Sequence, residues 1–251
     1  MTKASHQALC LRVVAGFLLA LLAKVSSLQY FSGDSPGVGA HVVVNVEGVI
    51  NASHTFQYLT VKDLCSCRMA CWSHVNCMTL SATPSDLGDK FECRLSKTPI
   101  KDMMLEPGPQ SVLAYWFDKN VVVNHGMQDD GLLYISSVQW YIFNDSLAFC
   151  SQHPGFRILM LKTVTQMQVG EELATKINGH VPIDLIPQPD GTFLWGDGTP
   201  FNQTVVDANG MAFGYWGGDV QAIIRQDTLH FYTSSSWSLA MCHANPFGVE
   251  W

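Results

Sequence analysis

The sequence predicts an α+β protein of two modules, a small disulfide-stapled one followed by a larger one with a long loop region. Three observations carry this. Five cysteines (Cys65, Cys67, Cys71, Cys77 and Cys93) cluster together while Cys150 and Cys242 stand far apart. Strand-like alternation and capped helical segments recur in both halves. The chain is long enough for two domains of ordinary size once its apolar start is set aside.

That start comes first. Lys3 and Arg12 precede an apolar run from Val13 to Ala23, and Val25-Ser26-Ser27 supplies small residues, the pattern of a signal peptide over 1–27 cut near Ser27. The run is shorter than the roughly 20 residues a membrane span needs, and no later segment approaches that, so a secreted product without a membrane anchor is expected. Cleavage would remove Lys3, Arg12 and Lys24 and no acid, taking 14 basic against 21 acidic residues to 11 against 21. A charge of about −10 disfavours nucleic acid and anionic membrane surfaces as partners, since both need clustered Lys and Arg.

The first module is expected over 28–118. Asp34-Ser35-Pro36-Gly37 is turn chemistry and Val42–Val46 reads as a strand. A helix capped by Thr60, with Asp63 reinforcing its first turn, should run to about Trp72. Strands are expected at Val75–Ser81, Phe91–Leu95 and Val112–Phe117, with a polar loop from Thr83 to Lys90. Residues 119–130 read as a linker ending in the turn Gln128-Asp129-Asp130-Gly131.

The second module is expected over 131–251. Leu132–Phe143 is strand-like, Ser146 opens a short helix stopped by His153-Pro154-Gly155, and Arg157–Lys162 reads as a buried strand. Thr163 with Gln166 forms a capping box, and Met167, Leu173 and Ile177 give the second helix its apolar face before Asn178-Gly179 ends it. From Val181 onward the chain is rich in Gly, Pro, Asp and Trp, with short strands at Ala222–Arg225, Leu229–Thr233 and Ser238–Cys242.

Cysteine usage fits an oxidising compartment. With Cys10 gone in the leader, seven cysteines remain, an odd count that leaves Cys65 unpaired or intermolecular, in the latter case joining a homodimer. Cys67 and Cys71 lie one helical turn apart and face the same side, but four cysteines still permit three connectivities. A zinc site of Cys71, His74 and Cys77 is disfavoured by export. Three Asn-x-Ser/Thr triplets, at Asn51, Asn144 and Asn202, are candidate glycosylation sites.

Thr60-Val61-Lys62-Asp63 leading into Cys67 and Cys71, then Val75-Asn76-Cys77-Met78-Thr79-Leu80, then the acid-flanked Cys93, resembles a PAN/apple-type module over about residues 36–117. The resemblance implies the pairs Cys67 with Cys93 and Cys71 with Cys77. Residues 131–251 resemble a C-type-lectin-like domain. That likeness is carried by Cys150, Phe156–Lys162, Glu171-Glu172-Leu173, Val181-Pro182-Ile183-Asp184-Leu185, Asp190-Gly191-Thr192-Phe193-Leu194-Trp195-Gly196-Asp197-Gly198-Thr199-Pro200 and Cys242. It implies a Cys150 to Cys242 bond closing a loop of about 92 residues, worth about 4 kcal/mol on the chain-entropy model.

Sugar-binding members of that family hold calcium, which takes six to eight oxygen ligands. Here Val205-Val206-Asp207-Ala208-Asn209-Gly210 stands where the loop motif should follow Asn202, and Phe231 falls where a ligating side chain is expected. Ser234 occupies the place of an inner cysteine. Gln188-Pro189-Asp190 matches a calcium triplet of some members but precedes the Trp195-Gly196-Asp197-Gly198 signature, so it is read as a turn. Asp207, Asn209 and Asp219 are better read as solvated loop acids and amides than as a cation site. No metal and no cofactor are expected.

Binding then falls to aromatic and polar loop surface. Phe213, Tyr215 and Trp216, with Asp207 and Asn209, are the ligand-binding candidates, while Trp195 and Trp216 are also expected to hold the loop region together and Trp237 adds surface. Nine histidines notwithstanding, the chain has no nucleophile elbow, no His-Glu-x-x-His and no glycine-rich phosphate loop after a strand, so no enzyme is expected. The expectation is a secreted recognition protein that binds a glycan or an extracellular protein without calcium. The alternative is a structural or interaction protein that uses the lectin-like fold as a scaffold.

Overall fold

The computed structural model describes residues 28–31, 40–85, 88–118, 120–177, 179–204, 220–225, 228–233 and 235–246. The described chain is mostly strand, with three α-helices, and divides into two compact units, Met1–Phe117 and Asp118–Trp251.

The first unit is a six-stranded antiparallel sheet. Its strands are β1 (Leu28–Phe31), β2 (His41–Ile50), β3 (Thr55–Val61), β4 (Thr79–Pro84), β5 (Phe91–Ser96) and β6 (Leu105–Trp116), in the spatial order β1-β2-β6-β4-β5-β3. Alternation decides which face is covered. Leu80 pairs with Leu95 and Ala114, and Ala82 pairs with Cys93 and Val112, so these small and aliphatic side chains share one face. Helix α1 (Leu64–Ser73) packs there, contributing Leu64, Cys67 and Cys71 to the same buried cluster.

Two expectations shift by a few residues here. Thr60 does not cap the helix, because β3 runs through it to Val61 in register with β5. Asp63 is the cap instead, its Oδ1 accepting the Ser66 N–H at 2.7 Å. Likewise Val75 is 99% exposed on a turn, and the strand expected from it begins only at Thr79.

The second unit opens with β7 (Val122–Met127), inside the stretch expected as a linker, so 119–130 is not a linker throughout. It pairs with β8 (Leu133–Tyr141) across a turn in which Gly131 takes a positive φ of 76°. Helix α2 (Phe143–Ser151) starts three residues earlier than expected. The apolar stretch after it gives only the two-residue β9 (Arg157–Ile158), with Leu159, Met160 and Leu161 continuing as buried irregular chain. Helix α3 (Val164–Lys176) carries the capping box, the Gln166 N–H donating to Thr163 Oγ1 and the Thr163 N–H to Gln166 Oε1, both at 3.1 Å. A Cβ on Gly170 would come within 2.9 Å of Leu161, so glycine there lets the helix lie close on the core.

Short strands follow: β10 (Val181–Pro182), β11 (Leu185–Pro187), β12 (Phe193–Trp195), β13 (Val220–Arg225), β14 (Thr228–Thr233) and β15 (Ser238–Ala244). They form a β7-β8-β15-β9 sheet, a β10-β13-β14 sheet and the β11-β12 hairpin. Pairing of β15 with β8 brings the two ends of the unit together, and everything between Cys150 and Cys242 is a closed excursion from that frame.

Candidate functional site

Disulfides set the rigid parts. Cys67–Cys93 and Cys71–Cys77 tie α1 to β5 and to the chain entering β4, and Cys150–Cys242 ties α2 to β15. Cys65 is disulfide-bonded as well, and none of the described cysteines is free. The reading of Cys65 as an unpaired thiol is therefore corrected. With Cys71 and Cys77 joined, neither sulfur is a thiolate available to zinc.

The excursion between Cys150 and Cys242 presents the surface of interest. Its hairpin turns at Gln188-Pro189-Asp190-Gly191, with the Gln188 N–H donating to the Thr192 carbonyl at 2.8 Å and Gly191 at a φ of 83°. Asp190 caps its own turn, Oδ1 accepting both the N–H (2.9 Å) and the hydroxyl (2.7 Å) of Thr192. These bonds hold the Asp190 carboxyl below its ordinary range.

Behind the hairpin the packing is aromatic. Trp195 is buried and lies 5.8 Å from Phe201, while Phe193 stacks on Phe231 with centroids 5.1 Å apart. Phe231, at the position where the family resemblance looks for a ligating side chain, is 1% exposed and belongs to the core. Lys162 donates to Asp197 at 2.8 Å, fastening the start of α3 to the turn after β12.

The candidates Asp207, Asn209, Phe213, Tyr215 and Trp216, with Asp219 and Ser234, lie outside the described residues. Of the three sequons, Asn144 and Asn202 are exposed, on α2 and on the short turn Phe201–Gln203. Asn51 is half-buried and engaged: its Nδ2 donates to Glu106 at 2.7 Å and its Oδ1 accepts from Ser53. Trp237 is 62% exposed. Sequence reading missed Trp140, which is 48% exposed on β8 and pairs with Leu239. The β8–β15 register shifts between Leu239 and Met241, and no simple alternation signals that irregularity.

His243 and His153 are buried, and among the described residues no trio of His, Cys, Asp or Glu is placed to hold a metal.

No family model and no curated protein sequence matches this chain. Among solved structures, the one titled "Structure of EPNH mutant of CEL-I" is similar at 12% identity and a TM-score of 0.37, over 47% of this chain and 92% of that one.

Proposed function

We propose that this is an extracellular, non-enzymatic recognition protein, a PAN/apple-like unit followed by a C-type-lectin-like unit, that binds a glycan or protein ligand without calcium. The observation that carries the calcium-independent reading is Phe231. A position that would otherwise offer an oxygen donor holds a phenyl ring stacked on Phe193 inside the core. One carboxylate oxygen of Asp190, the other tempting donor, is engaged by its own turn. A cation needing six or more oxygens gains none from Phe231.

Export is supported by the three intrachain disulfides, and no described helix is long and apolar enough to cross a membrane. Exposed Trp237 and Trp140 supply flat apolar surface of the kind that stacks on sugar rings or anchors a protein partner.

The test is a glycan array probed with the full secreted chain in calcium and in chelator. Capture that survives chelation supports the reading. Capture abolished by chelation, together with a calorimetric calcium-binding isotherm, overturns it.

A further inference from the structure

A cavity of about 300 Å³ opens within the second unit, with no residue of the β11-β12 hairpin in its lining. It is bounded by β7, β8 and β15 and by the last turn of α3. Its apolar walls are Ile135, Leu173, Ile177 and Met241. Ile135 and Met241 are within 2% of full burial, so these walls are set by the core rather than by mobile surface side chains.

His125, Gln128, Ser136 and Lys176 make up most of the polar lining. Lys176 and Gln128 bring N–H donors, and Lys176 has no ion-pair partner among the described residues. Tyr134 also lines the space, but its hydroxyl donates to Asp130 and is already committed. No carboxylate stands among the lining residues described. Lys176 is exposed, and its charge would repel a cationic guest and attract an anionic one.

Size narrows the guest further. The space is roughly twice the ~150 Å³ engineered cavity that takes up benzene, so it suits two fused rings, and it lies at the lower end of ordinary ligand sites. Gly126 keeps it open. A Cβ placed there meets only the Gln128 side-chain nitrogen, at 3.9 Å, so the missing side chain is absent over free space, not over packed atoms.

The geometry points to a second ligand site, for a small planar bicyclic carboxylate whose rings lie between Ile135, Leu173, Ile177 and Met241 and whose anion meets Lys176. It goes beyond the glycan or protein recognition proposed above, since neither Trp140 nor Trp237 is among its lining residues.

The test uses the full chain and two compounds, naphthalene-2-carboxylate and the neutral naphthalene-2-methanol, titrated by calorimetry or ligand-observed magnetic resonance. The carboxylate is expected to saturate the protein with a dissociation constant below about 1 mM and to bind at least about fivefold tighter than the alcohol. Gly126→Leu, which fills the space, should weaken the carboxylate at least about tenfold with the melting temperature unchanged. Lys176→Gln should bring the carboxylate down to the level of the alcohol. If Gly126→Leu does not fold, Lys176→Gln decides alone: discrimination for the carboxylate that persists in it overturns the site. So does the absence of saturable binding to the folded wild type, or affinity that Gly126→Leu leaves unchanged.

Discussion

Gly196 lies so close to the Asp184 carboxylate that a Cβ on Gly196 would overlap it, while the Gly196 N–H donates to the Asp184 carbonyl at 2.9 Å. The glycine of the Trp195-Gly196-Asp197-Gly198 phrase is thus a packing requirement, set by a residue twelve positions earlier. Gly196→Ala should cost about 1–3 kcal/mol through overpacking, read as a lower urea midpoint at unchanged slope. Asp184→Ala in the same chain should recover part of that loss. Full additivity of the two changes would show that the side chains do not compete.

Asp197 should govern the acid limb of stability. Desolvation is the largest influence on it and acts upward. The hydrogen bonds from Lys162 and from the Thr199 backbone and hydroxyl, with the Lys162 charge, outweigh that and bring the carboxyl down to about 2. A depressed acid stabilises above its unfolded value, near 4, and that contribution is lost as pH falls through the folded value. Between about pH 4 and pH 2, wild type should therefore lose stability faster than Asp197→Asn, as measured by thermal melts across that range. Parallel melting curves would contradict this.

His243 should tilt stability at milder pH. Burial first, then the charges of Arg157 and Lys162, hold its pKa well below the ordinary value of 6.5, and its Nε2 accepts the Met160 N–H at 3.3 Å. The native ring takes up no proton near neutrality while the unfolded one does below about 6.5. Stability is then complete above that pH and falls as pH drops beneath it, with a limiting slope of about 1.4 kcal/mol per unit. Urea midpoints at pH 5, 6 and 7.5 should fall toward acid in wild type and flatten in His243→Gln. An equal slope in both proteins would refute the assignment.

Glycosylation should divide the three sequons. Asn51 Nδ2, the atom a glycan would occupy, donates to Glu106, which also receives Arg94 at 2.9 Å. A glycan on Asn51 would break that network, whereas Asn144 and Asn202 project into solvent. Glycopeptide mass spectrometry of the secreted chain should find Asn51 largely unmodified, and removal of Glu106 by Glu106→Ala should raise its occupancy. Full occupancy of Asn51 in wild type would overturn the prediction.

Local signals were legible wherever a hydrogen bond closes within three or four residues. The Thr163–Gln166 capping box and the turn around Asp190 and Gly191 are of this kind. The Thr60 cap was misread because both Thr60 and Asp63 are competent caps, and only pairing of β3 with β5 assigns Thr60 to a strand. Val122–Met127 read as a linker because its partner, β8, lies beyond a turn, and its cross-strand contacts supply the stabilisation that its own sequence does not advertise. Trp140 and the cavity were invisible for a related reason. They depend on a register irregularity and on the meeting of β7, β8, β15 and α3 from across the unit.

By itself the sequence determined the inventory: eight cysteines, an acidic balance, a strongly apolar start, turn glycines, and a phenylalanine where an oxygen ligand was sought. Tertiary structure alone decided that Cys65 is bonded, that Asn51 turns its amide toward Glu106, that Phe231 stacks on Phe193, and that Gly196 has no room for a side chain. The division follows from range. Caps and turns compare conformations of a few neighbouring residues, while these pairings bring together groups far apart in the chain, and which of them form depends on the packing of the whole unit.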